Sequence, residues 1–173
     1  MRIAVSSKSG CGNTTVSTLL SEKLGYPIIN FTFRQMAEER GVDFWTFCRM
    51  AEDDYNIDRE LDSRQVRMAM ETENCILASR LAVWMLKDAD LKVYLTASPE
   101  TRAKRIQKRE GGSLEQRMQE TVNRDARDSA RYRVVYGIDN SHPEDVCDMV
   151  IATDDLNPEE IVSLILEKIA EIR

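Results

Sequence analysis

Short apolar runs alternate with longer amphipathic stretches along the whole chain. Brief, mostly apolar segments bounded by turn or cap residues predict buried strands at Arg2–Ser7, Pro27–Phe31, Asn74–Ala78, Leu91–Ala97 and Met149–Thr153. Between them, helical periodicity predicts helices at Thr14–Leu24, Phe33–Arg40, Phe44–Met50, Asp58–Glu71, Leu81–Lys87, Pro99–Arg109, Leu114–Tyr136 and Pro158–Ile172. Ser98 and Asn157 each precede a proline, which suits a first helical position because its missing N–H would have no partner there. Ser113 and Gln116 have the spacing of a capping box. Strand–helix alternation of this kind predicts an α/β protein with a parallel sheet.

At 173 residues the chain is expected to form one domain, large enough to bury a core without disulfide or metal staples. A hydrophobic fraction of 42% and a charged fraction of 31% exclude collagen-like, low-complexity and largely disordered classes. The net charge of −6 argues against a surface built to coat nucleic acid. Residues 99–133 nevertheless carry ten Lys/Arg against six Asp/Glu, a local basic segment suited to a small polyanion. The one histidine, His142, excludes HExxH and multi-histidine metal sites, and none of the four cysteines forms a C-x-x-C pair. Neither a signal-like apolar run nor a membrane-length one is present, so a cytoplasmic monomer with reduced thiols and no membrane partner is expected.

Ser7-Lys8-Ser9-Gly10-Cys11-Gly12-Asn13-Thr14-Thr15 lies between the first strand and the first helix, the place and length of a phosphate-binding P-loop. Small residues let successive backbone N–H groups curl around phosphate oxygens above the positive end of a helix. Thr14 stands where a hydroxyl would ligate Mg²⁺. Ser7 replaces the first consensus glycine, and Asn13 replaces the lysine. Lys8 is the candidate for restoring the missing charge near the transferring group. The alternative is a plain strand–turn–helix corner of small residues. Cys11 lies at a helix N-terminus, where a lowered thiol pKa is expected; it is read as a small loop residue in preference to an oxidation-sensitive point.

Phosphoryl transfer spreads charge over equatorial oxygens, which arginine forks hold well. Arg34 and Arg80 each follow a predicted strand at the carboxyl edge, where open α/β sheets bind ligands. Arg102, Arg105 and Arg109 share one face of the helix before Gly111-Gly112, and Arg124, Arg127 and Arg131 repeat that spacing after it. The glycine pair reads equally as a hinge or as a helix C-cap. Solvated surface helices are the competing reading of the arginines.

The opening MRIAVSSKSGCGNTTVSTLLSEKLGYPIIN resembles a nucleoside monophosphate kinase. SRLAVWMLKDADLKVYL, ETRAKRIQKREG, RDARDSARY and YGID resemble the short archaeal-type cytidylate kinases, from Met1 to about Pro158. The resemblance implies a P-loop NTPase fold, a three-layer α/β/α arrangement with a five-stranded parallel sheet. It also implies a short helical acceptor-binding insertion over about 32–73 and a small lid over about 105–120. It implies transfer of the ATP γ-phosphoryl to CMP or dCMP with Mg²⁺, and members of this family tend to lack the loop lysine. Residues 7–15 would hold ATP, and Thr14 the metal. Arg34, Arg80, Arg124 and Asp128 would bind the acceptor, Arg102 and Arg109 would belong to the lid, and Lys8, Arg109 and Arg131 would act on the phosphates. Phe31-Thr32 and Ala78-Ser79 replace the family's Ala-Gly and Glu-Gly beside the acceptor. UMP or AMP as acceptor, or a nucleotide-binding module without transfer, are the alternatives.

Two further groups stand out. Phe44, Trp45, Phe47 and Met50 at helical spacing are expected to form core within the insertion rather than a base-stacking platform. Asp58 and Asp62, flanked by Arg59 and Arg64, are read as a solvated helix face in preference to a nucleobase or ribose contact.

Overall fold

The computed structural model describes Met1–Ile172. Five parallel strands, β1 (Arg2–Ser7), β2 (Ile28–Ile29), β3 (Cys75–Ala78), β4 (Leu91–Thr96) and β5 (Met149–Ala152), form one sheet in the order β2-β3-β1-β4-β5. β1 is central, with Val5 in register with both Ala78 and Val93. Its carboxyl end therefore opens where the chain turns to opposite sides of the sheet, the position at which such sheets bind ligands.

Alternation along the strands assigns the two faces. Ile3, Val5, Ile76, Val93 and Leu95 point to one side, where Val16 and Leu20 of α1 (Asn13–Leu24) and Ile161, Val162, Ile165 and Ile169 of α8 (Pro158–Ile172) close a core. Ala4, Cys75, Leu77 and Tyr94 point to the other, beneath α4 (Tyr55–Glu71) and α5 (Ala82–Met85). The three-layer arrangement is as expected. A satellite core joins α2 (Phe33–Glu39), α3 (Phe44–Asp53) and the start of α4 around Phe31, Met36, Phe47, Ala51 and Ile57. The aromatic cluster divides here: Phe47 is wholly buried, while Trp45 is 70% exposed.

Boundaries shift for local reasons. β2 is two residues long because Phe31 leaves the sheet to pack into the satellite core. α4 starts at Tyr55 because the Asp54 carboxylate accepts from the Asn56 N–H at 3.0 Å, capping it three residues earlier than expected. Ser98 caps α6 (Pro99–Glu110), accepting from the Thr101 N–H at 3.2 Å. Ser113 caps α7 (Leu114–Tyr136), but Gln116 turns to Glu120 rather than back to the cap, so that capping box is half made. Thr32 and Gln35 form a full box at α2. Gly111 sits at the C-cap of α6, its N–H bonded to the Gln107 carbonyl at 2.7 Å, and both glycines of the pair have positive φ.

Candidate active site

The loop from Ser7 to Thr15 lines a cleft of about 1040 Å³ at the carboxyl end of β1, together with Ser79, Arg80, Arg105, Lys108 and Arg109. Three successive loop carbonyls are held from behind. Arg102 Nε donates to the Ser9 carbonyl at 2.6 Å, Arg105 Nη1 to that of Gly10 at 3.3 Å, and the Thr153 hydroxyl to that of Cys11 at 3.3 Å. Because a trans peptide sets N–H opposite C=O, these bonds turn the N–H groups of Gly10 and Gly12 toward the cleft. No side chain caps α1, so its first N–H groups are also left for an anion.

The loop's two departures from consensus have distinct local explanations. All positive φ values fall on glycine among the described residues, so Ser7 closes β1 in ordinary extended backbone and needs no glycine. Asn13 faces inward: its amide donates to the Val5 carbonyl at 3.3 Å and its oxygen accepts from Ser17 at 3.0 Å. Its side chain fastens strand to helix. At Gly10, φ is +84° and an added Cβ would stand 2.9 Å from the Arg102 carbonyl, so the loop can approach α6 only with glycine there.

Arg102 is buried behind the loop. It is 3% exposed and bound through both terminal nitrogens to Asp125 of α7 at 2.7 Å. Asp125 is also 3.8 Å from Lys8 Nζ, so Lys8 rests beside the loop, partly exposed, opposite a carboxylate. Arg105 is pinned to Thr153, donating to its hydroxyl at 2.9 Å and its carbonyl at 2.6 Å. Arg109, further along α6, lines the cleft but pairs with its neighbour Glu110 in solvent. For Cys11 the expected lowering of the thiol pKa is reversed, since burial pushes it up and outweighs Arg102 and Arg105; this suits its reading as a small loop residue.

A second cavity of about 440 Å³ lies between the α2–α4 unit and α7, lined by Phe33, Leu61 and Leu81 and by Asp58, Asp62, Asp128, Arg80, Arg131 and Tyr132 among others. It shares Ser79 and Arg80 with the first. Arg80 Nη2 donates to Ser9 Oγ at 2.9 Å on the loop side, while Nη1 pairs with Asp128. Burial pushes the Asp128 carboxyl up, with Arg80 and then Arg124 opposing it. Arg124 reaches Ser9 Oγ at 3.4 Å. Arg131 pairs with Asp58 and donates to the Ala51 carbonyl at 2.6 Å, which places it on the second cavity rather than over the loop. Arg34 lies 4.3 Å above the Phe44 ring and is not among the described residues lining either cavity.

The profile of the Cytidylate kinase-like family matches residues 2–155. The chain belongs to that family. It is 44% identical to cytidylate kinase 2 of Borreliella afzelii, covering 98% of this chain and 96% of the relative. It is 40% identical to cytidylate kinase of Methanobrevibacter smithii, covering 96% of each. Two solved structures share the fold. Shikimate kinase from Bacteroides thetaiotaomicron has a TM-score of 0.66 at 18% identity, over 98% of both chains. Deoxyadenosine kinase from M. mycoides has 0.59 at 22%, over 98% of this chain and all of that one.

Two features of this family member were not legible as site features. Asp58 and Asp62 line the second cavity and are half-buried, because Arg131 and Tyr136 of α7 pack over their face of α4. Asp125 and Thr153, which hold the loop through Arg102 and beside Arg105, are distant in sequence from the residues they serve and carry no local motif.

Proposed function

We propose that this chain is a cytidylate kinase that transfers the γ-phosphoryl group of ATP to CMP or dCMP, giving ADP and CDP or dCDP. The observation that carries this reading is the pair of cavities meeting at Ser79 and Arg80, one backed by a phosphate loop and the other by arginines and carboxylates. Identities of 37–44% over nearly the whole chain to curated cytidylate kinases support it. A nucleotide-binding module without transfer has no need of a second cavity opening onto the first.

In this reading the N–H groups of Gly10 and Gly12 and of the first turn of α1 hold the donor phosphates, with Lys8 and Arg109 on the outer side. Arg80, Arg124 and Arg131 hold the acceptor phosphate and the moving group, and Asp128 aims Arg80. Arg34 would join them only by leaving Phe44. The acceptor oxygen is already anionic at neutral pH, so positioning and electrostatics suffice without a general base. The Thr14 hydroxyl, exposed and without a hydrogen-bond partner among the described residues, fits a Mg²⁺ ligand. The described residues hold no group of three or more His, Cys, Asp or Glu placed for a metal ion, so Thr14 would be the residue to hold one. When bound, such an ion neutralises charge between the phosphates. Residues 32–73 would act as the acceptor-binding insertion and residues 105–120 as the lid. No helix among the described residues is long and apolar enough to cross a membrane, and a cytoplasmic monomer in pyrimidine metabolism, with no nucleic-acid partner, is the accompanying proposal.

The test is turnover with ATP and Mg²⁺ against CMP, dCMP, UMP and AMP, following ADP and diphosphate formation. Turnover confined to the cytidine nucleotides is expected; none with any acceptor, while ATP still binds, would overturn the reading. Lys8→Met is expected to lower kcat about 10- to 100-fold with a smaller change in the KM for ATP. An unchanged kcat would show that Lys8 does not replace the missing loop lysine.

A further inference from the structure

The second cavity contains a charge that the reaction so far leaves without a task. Asp58, Asp62 and Asp128 all contribute half-buried carboxylates to it. Asp58 is paired with Arg131 and Asp128 with Arg80. Asp62 has no ion-pair partner among the described residues. One of its oxygens accepts from the Tyr136 hydroxyl, and the other has no hydrogen bond among the described residues. Burial pushes its carboxyl up to about 6, which still leaves it mainly ionised at neutral pH. An unpaired carboxylate repels a phosphate and attracts a hydrogen-bond donor.

Orientation of the acceptor follows from where the two cavities join. The acceptor phosphate must face the donor, so it lies at Ser79 and Arg80, which line both. The rest of the nucleotide then extends toward α4, where Phe33 and Leu61 supply apolar surface for a flat ring and Asp62 lies beside Leu61. The volume of about 440 Å³ is that of a small-ligand site. Cytosine presents an exocyclic amine, from which a carboxylate accepts; uracil presents an acceptor oxygen at the same place.

Resting on the reading of the chain as a cytidylate kinase, we infer that Asp62, oriented by Tyr136, accepts from the exocyclic amine of the acceptor base and so selects cytidine over uridine monophosphate. Selection works from both sides. The carboxylate gains a charge-assisted hydrogen bond from cytosine, and with uracil it is left desolvated against an oxygen. Arg131, held by Asp58, stays free of Asp62 and does not neutralise it.

The experiment compares kcat/KM for CMP, dCMP and UMP in the wild type and in Asp62→Asn, whose amide can donate to uracil. The ratio of CMP to UMP is internal to each preparation, so a smaller folded fraction cancels. The inference expects that ratio to fall about 10- to 100-fold, with the ratio of CMP to dCMP unchanged. A wild type that prefers CMP beside an Asp62→Asn variant with the same preference overturns the assignment of Asp62 alone. A changed ratio of CMP to dCMP with an unchanged ratio of CMP to UMP overturns it too, and gives Asp62 to the ribose. A wild type that phosphorylates neither CMP nor UMP overturns this inference together with the proposed function.

Discussion

Arg80→Ala is expected to lower kcat by about a thousandfold while changing either KM only a few-fold, because a fork that holds a transferring phosphoryl group acts chiefly in the transition state. Arg80 stands on the wall common to both cavities, one nitrogen on Ser9 Oγ and another on Asp128. In the proposed reaction a phosphoryl group crossing from donor to acceptor passes this wall. Lysine should recover little, since it lacks the planar fork whose two nitrogens reach Ser9 Oγ and Asp128 separately. Single-turnover measurement of ADP formation separates the chemical step from binding. A loss confined to KM would make Arg80 a binding residue only.

The second large effect concerns Asp125, which touches neither cavity in the described lining yet holds Arg102 against the loop. Asp125→Ala leaves a nearly fully buried guanidinium without its carboxylate, a loss of roughly 3–5 kcal/mol. At about 2–4 °C per kcal/mol for a chain of this size, the thermal midpoint should drop by about 10 °C. The double variant Arg102→Met with Asp125→Leu should regain most of that stability, since a buried pair can be replaced by packed apolar groups. It should not regain tight ATP binding, because the Ser9 carbonyl is then held by nothing and the N–H groups of the loop lose their aim. Full recovery of both would show that the pair serves stability alone.

The sequence carried the fold well because its signals are local. Five apolar runs, the glycines of the loop and the cap residues at Ser98 and Asn157 each state their role within a few positions. The lining of the candidate site was legible to the same depth. Lys8, Gly10, Gly12 and Thr14 are recognisable from spacing, and Arg80 from its place after a strand. What periodicity could not show is which arginine faces which partner. Arg102 and Arg109 lie on the same helix, yet one is locked behind the loop and the other lies in solvent, a difference set by Asp125 across the α6–α7 contact. Asp58 and Asp62 failed for the same reason. A charged stripe on a helix reads as solvated until a second helix is laid over it.

That second helix is α7. Asp125, Asp128, Tyr132 and Tyr136 fall three or four residues apart, on one stripe of a rod roughly 35 Å long. The stripe meets the loop through Arg102, the shared wall through Arg80 and the second cavity through Asp62. A rigid lever tilted at one end moves at the other. A shift at the glycine end of α7 would therefore be felt at the second cavity, and any coupling of that kind is reciprocal. Loop, shared wall and second cavity thus rest on a single helix.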